Sequence, residues 1–172
     1  MKKLLSCAIC LIFISNVFGQ EKFTIPERTP EQKHQTTMFQ YHAMVAAGIH
    51  FAKSQGISPY EYGKYVGDLV AQTWNNENGF DRYVNITIFS LENFRTDADI
   101  PLEIIEKDDS SVIIKFSAEI SGKYYPEGNP SASFNDVLHF WQGMHERFAD
   151  KLGCSFKQES TEDLIIFTIT KK

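Results

Sequence analysis

The residues able to do chemistry in this 172-residue chain are five histidines, a late cysteine and a few clustered acids and tyrosines. Histidine comes first, because it titrates near neutrality and ligates metals. His42 follows Met38 by four residues and precedes Val45 by three, which puts it on their face of any helix. An imidazole there needs a partner or a ligand. His50 lies two turns further, about 12 Å along a helix axis, too far for both rings to hold one ion. His139 and His145, six apart, point to different sides of a helix, and no pair has the i, i+4 spacing of a helical metal site. His145-Glu146 opens like the zinc-protease motif, but Ala149 stands where the second imidazole is required. Two readings stay open for His42 and His145: a core imidazole bonded to a neighbour, or a group that contacts or ligates a bound molecule such as a haem. His34, His50 and His139 read as flank or surface residues.

Cys154 follows Gly153, a helix-ending residue, and starts a strand. His145 could activate its thiolate, but a helix C-terminus is the wrong end to lower a thiol pKa, so a buried, inert cysteine is the plainer reading. Gly-x-Ser-x-Gly, a phosphate loop and a glycine-rich dinucleotide turn are all absent. The acids Asp108, Asp109, Glu162 and Asp163 fall in turns, where carboxylates are usually solvated. Aromatics offer more. Tyr62 and Trp141 sit at helical spacing, and Tyr124-Tyr125 occupy a loop. The expected site therefore joins His42, Tyr62, Trp141 and His145, with Tyr124 and Tyr125 as its cover.

These residues must be positioned by the elements around them. Lys2, Lys3, an apolar run from Leu4 to Ile14 and the small residues Val17 and Gly19 resemble an export leader cut between Gly19 and Gln20. The apolar run is shorter than the roughly 20 residues of a membrane span. The leader holds two of the 17 basic residues and none of the 22 acidic ones, so its removal takes the formal charge from −5 to −7. Such a balance argues against nucleic-acid binding. Of three cysteines, Cys7 and Cys10 leave with the leader, and Cys154 alone cannot close an intrachain disulfide.

After a polar extension over 20–30, the chain reads as a single domain, 31–172. Thr29-Pro30 with Gln32 opens a helix over about 30–55 that Gly56 stops. Met38 to Ala52 carries no formal charge, which predicts a helix buried nearly all round. Ser58-Pro59-Tyr60-Glu61 starts a second helix to about Trp74, and its Gly63 and Gly67 make a narrow side suited to a close helix crossing. Val84, Ile86 and Ile88 alternate with Asn85, Thr87 and Phe89, which predicts a strand over 83–94. The sequon Asn85-Ile86-Thr87 lies inside it and reads as chance. Two more strands follow, Leu102–Glu106 and Val112–Ile120, the second with one wet face. Ser133, with Asp136 three residues on, caps a third helix that Gly153 ends, and 154–159 with 164–170 close the chain as a hairpin. The expected class is α+β in the order ααβββαββ, an antiparallel sheet of about five strands with helices on one face.

The closing helix and hairpin, with Leu152-Gly153-Cys154-Ser155-Phe156 and Leu164-Ile165-Ile166-Phe167-Thr168-Ile169, resemble the end of two α+β groups. These are the 4-vinyl reductase-type small-molecule-binding domain and the aminothiazoline-carboxylate hydrolase-like family. The resemblance in element order covers about 31–172. It implies a hydrophobic cavity between helices and sheet that accepts a small ligand, often in a homodimer. The hydrolase-like family tends to carry a cysteine-proline pair after its internal strand, whereas Ala118 to Lys123 has no cysteine, so no catalytic residue carries over.

The leading expectation is an exported domain, periplasmic or secreted, that binds a small, partly apolar ligand between its first helix and the sheet. Nothing in the sequence names a cofactor. Two alternatives accompany it: a hydrolase using Cys154 with His145, which must then be within hydrogen-bond reach, and an envelope interaction module with an outward apolar patch and no pocket.

Overall fold

Capping residues place the helix ends. The computed structural model describes residues 27–94, 102–119, 124–125 and 131–172. The expected leader, its cleavage point and Ile120 lie outside them. Gln32–Lys172 form one compact unit. Helix α1 (Pro30–Ser54) stops at Gly56, whose φ of 76° only glycine adopts freely. There Ile57 N donates to Ala52 O at 2.9 Å and Gly56 N to Lys53 O at 3.0 Å, satisfying carbonyls the helix end would leave open. Helix α2 (Pro59–Val70) starts at Ser58, whose hydroxyl accepts from Glu61 N, and runs out through a 3-10 turn, Ala71–Thr73.

The next segment overturns an expectation. Residues 83–94 are not a strand but most of helix α3 (Gly79–Phe94). Two periods coexist in this stretch. Val84, Ile86 and Ile88 alternate, yet Phe80, Tyr83, Val84, Thr87 and Leu91 recur at helical spacing, and those five, with Gly79 at the helix start, are the buried ones among the described side chains. Asn85 is exposed and Phe89 is 70% exposed, on the outer side of the helix. The helix wins because it buries Tyr83 and Thr87 completely, whereas the strand would split them from Ile86 and Ile88 on opposite faces. Thr87, the third sequon residue, is thereby enclosed.

Strands β1 (Leu102–Lys107), β2 (Ser111–Ser117), β3 (Cys154–Ser160) and β4 (Leu164–Lys171) form an antiparallel sheet in the order β1-β2-β4-β3. The described sheet has four strands rather than five, and the described elements run in the order αααββαββ. Asp108 makes the β1–β2 turn by accepting from Ser110 N and Ser111 N, both at 2.7 Å. Register sets Val112 beside Ile169, Ile114 beside Phe167 and Phe116 beside Ile165, so one face carries a continuous apolar row. Helix α4 (Phe134–Lys151) lies on that face. The Ser133–Asp136 capping box opens it, and Leu152 and Gly153, at φ 70°, close it. Phe116 meets Trp141, Phe167 meets His145, and Gln158 Nε2 donates to Leu138 O at 3.0 Å.

The glycines of α2 do what their spacing predicts. A Cβ on Gly63 would overlap the Phe140 carbonyl, one on Gly143 would overlap the Tyr60 carbonyl, and one on Gly67 would lie 2.7 Å from the Met144 carbonyl. The two backbones therefore touch. Helix α1 behaves differently: it makes no comparable approach to another described element. Only the stripe Met38, His42, Ala46, Ile49 and Ala52 is buried, while Phe39, Met44 and Phe51 are 65–77% exposed. The expectation of a helix buried all round is corrected accordingly. The single stripe is all that one neighbouring layer can cover, so the opposite apolar face is left to solvent.

Candidate functional site

Because α1 stands off while α2 and α4 touch, a groove remains between the helices. It measures about 480 Å³ and is walled by Met44 and Val45 of α1, Tyr62 and Val66 of α2, Ile86 and Ser90 of α3 and Phe140 of α4, with Trp74 beside them. That volume falls within the roughly 300–1,000 Å³ of small-molecule sites. Tyr62 can lie against this wall because Gly48 opposite has no side chain; a Cβ there would come within 2.5 Å of the tyrosine hydroxyl. An inner chamber of about 50 Å³ adjoins the groove and shares Tyr41, Ser90, Met144 and Phe148 with it. Leu91, Trp141, His145 and Phe167 complete the chamber. None of the described residues lining either space is charged.

The expected cavity between first helix and sheet is thus corrected. Its walls are helical, and the sheet contributes Phe167 to the inner chamber. The physical reason is the tight seating of α4 on the sheet, which leaves free volume on the other side of that helix.

Six residues were singled out for the site, and the structure divides them. Tyr62 lines the groove, and Trp141 and His145 line the chamber. His42, Tyr124 and Tyr125 form a second cluster outside both linings. There the Tyr125 hydroxyl lies 2.6 Å from His42 Nδ1, and Tyr124 stacks on the imidazole with centroids 4.0 Å apart and planes 18° apart. Tyr124 and Tyr125 cover His42 rather than the groove. Burial lowers the His42 pKa to about 4, so its ring is neutral at pH 7. The same burial raises the Tyr125 phenol.

His145 sits in an aromatic box. Phe156 stacks on its ring at 4.9 Å, and Phe148 and Phe167 close its sides at 5.6 and 5.2 Å. Tyr83 of α3 provides the polar contact: its hydroxyl donates to the His145 carbonyl at 3.0 Å and lies 3.1 Å from Nδ1. Burial lowers this imidazole to about 4 as well. The adjoining Glu146 turns away from the box and accepts from Tyr60 Oη and Gln142 Nε2. Its hydrogen bond with Tyr60 pushes that phenol up to about 12.

Cys154 is buried, donates weakly to Leu152 O at 3.5 Å, and has its thiol pKa raised by burial. No hydrogen bond joins it to His145, whose ring is committed to Tyr83. The nucleophile–base pair that a Cys154 hydrolase requires is not formed. Among the described residues no three His, Cys, Asp or Glu side chains gather as a metal site, and no helix is long and apolar enough to cross a membrane.

Tyr83 and Ser90 are site residues that the sequence reading missed. Both fell in the segment read as a strand. The signal was present, since 83, 87, 90 and 91 follow the i, i+4, i+7, i+8 pattern of one helical face.

No protein-family profile and no curated protein matches the chain. Among solved structures it is similar to an Fe(II) unliganded H-NOX protein from K. algicida, at 11% identity and a TM-score of 0.40 over 70% of this chain and 67% of that one. A mutant of that protein gives the same identity and TM-score over 86% and 76%.

Proposed function

We propose that this protein binds a small, largely apolar molecule in the groove between the four described helices, without catalysing a reaction on it. One observation carries the reading: a groove of about 480 Å³ to which all four described helices contribute, uncharged among its described lining residues, with a small chamber beside it. An apolar ligand placed there would replace water against Val45, Val66, Phe140 and Trp74, at roughly 25 cal/mol per Å² removed from solvent. The leader-like segment assigns this binding to an exported protein, and a mature chain beginning at Gln20 is its check.

The test uses the neutral dye N-phenyl-1-naphthylamine and native mass spectrometry of the purified chain. Saturable dye fluorescence that Val66→Trp abolishes supports the reading, because the indole fills the groove. Absence of binding by the wild type, or equal binding by Val66→Trp, overturns it.

A second reading rests on the outward face of α1. Phe39 and Phe51 are exposed on one long helix, which suits pairing with a second copy of the chain. Sedimentation equilibrium decides it: a dimer that Phe51→Glu makes monomeric supports pairing, and a monomer at all concentrations rejects it.

A further inference from the structure

Resting on the groove reading, the geometry points to the class of ligand: an uncharged molecule with an apolar body and a terminal hydroxyl, a phenol or alcohol, whose proton is received by Nε2 of His145. The hydrogen-bond network around Tyr83 makes the assignment. The phenol has one proton to give. A carbonyl oxygen can only accept, so the 3.0 Å contact with His145 O takes that proton. The second contact, 3.1 Å to Nδ1, is then a bond in which the imidazole donates. The opposite arrangement would set the phenol oxygen against a carbonyl oxygen at 3.0 Å with no hydrogen between them. His145 is therefore the Nδ1–H tautomer, and Nε2 carries a lone pair.

That lone pair has no partner among the described residues, where the contact of the His145 ring with Tyr83 is made at Nδ1. Its ring is neutral at pH 7 because burial lowers its pKa to about 4. Phe148, Phe156 and Phe167 around it offer no donor. The chamber it lines is about 50 Å³, which suits one polar group the size of a water molecule, about 30 Å³ in the liquid, and not a ring. Ser90 lines the same chamber, forms no side-chain hydrogen bond among the described residues, and can donate to the hydroxyl oxygen that His145 has accepted from. The apolar body then occupies the groove.

Two ligand types are disfavoured by the same features. A carboxylate would be buried with no cation among the described lining residues. An ether of the same shape would leave Nε2 desolvated and without a donor, and a lost buried hydrogen bond is worth roughly tenfold in affinity.

The experiment compares 4-butylphenol, 4-butylanisole and 4-butylbenzoate by quenching of tryptophan fluorescence in the full chain. The expected result is phenol tightest, with anisole and benzoate at least about tenfold weaker, and a phenol-to-anisole ratio near one in His145→Phe. Equal affinity for phenol and anisole in the wild type overturns the hydroxyl assignment while leaving the groove reading intact. Failure of both to bind, together with failure of the naphthylamine dye, overturns the groove reading itself. Should His145→Phe not fold, the nitrogen-15 shifts of wild-type His145 decide the tautomer, and a proton on Nε2 refutes the proposal.

Discussion

The Tyr125 hydroxyl lies 2.6 Å from Nδ1 of His42, and both side chains are buried. This bond ties residues 83 apart in sequence and anchors α1 to the segment that holds Tyr125. Tyr125→Phe removes the bond and keeps the ring. The expected loss is about 1 kcal/mol or somewhat more, read from urea unfolding. Wild-type stability in the variant would show that the bond contributes nothing to holding α1.

Acid should weaken the fold through two histidines. His42 and His145 have pKa values lowered from 6.5 to about 4 by burial. In the unfolded chain both rings take up protons near pH 6.5, and in the folded chain only near 4. Protons therefore favour unfolding across that window, so stability is full above about pH 6.5 and declines as pH falls toward 4. Each ring accounts for on the order of 3 kcal/mol once the decline is complete. Urea midpoints at several pH values test this, and His145→Phe should flatten the slope. A midpoint constant from pH 7 to 4 is the contrary result.

Gly63→Ala should destabilise by roughly 1–3 kcal/mol, because the added methyl meets the Phe140 carbonyl across the α2–α4 contact. Alanine's helix propensity returns about 1 kcal/mol at most. Gly48→Ala provides the contrast. Its new methyl meets the hydroxyl end of Tyr62, which can swing aside, so thermal unfolding should shift less than for Gly63→Ala.

Thr87→Val should stabilise. The Thr87 side chain is fully buried on α3, and its hydroxyl has no hydrogen-bond partner among the described residues. Valine has nearly the same shape and no group to desolvate, so a gain of about 1 kcal/mol is expected in chemical denaturation. A loss of similar size would mean that the hydroxyl is satisfied by a bound water.

Legibility followed the range of the interactions. Ser58, Ser133, Gly56 and Gly153 marked helix ends because caps act within a few residues. The alternation of Val112, Ile114 and Phe116 marked a strand for the same reason. Residues 83–94 were misleading, since their apolar positions satisfy both a two-residue and a 3.6-residue repeat. Only the packing of Tyr83 against His145, 62 residues away, separates the two.

By itself, then, the sequence determined the α+β class, the antiparallel closing hairpin and the close helix crossing at Gly63 and Gly67. Each of these depends on local periodicity or on one residue's steric demand. Tertiary structure alone decided that α3 is a helix, that His42 joins Tyr124 and Tyr125 away from the groove, and that His145 faces a chamber with Ser90. Cavities are what packing leaves unfilled. Their position depends on the spacing of four helices at once, and no local repeat encodes that spacing.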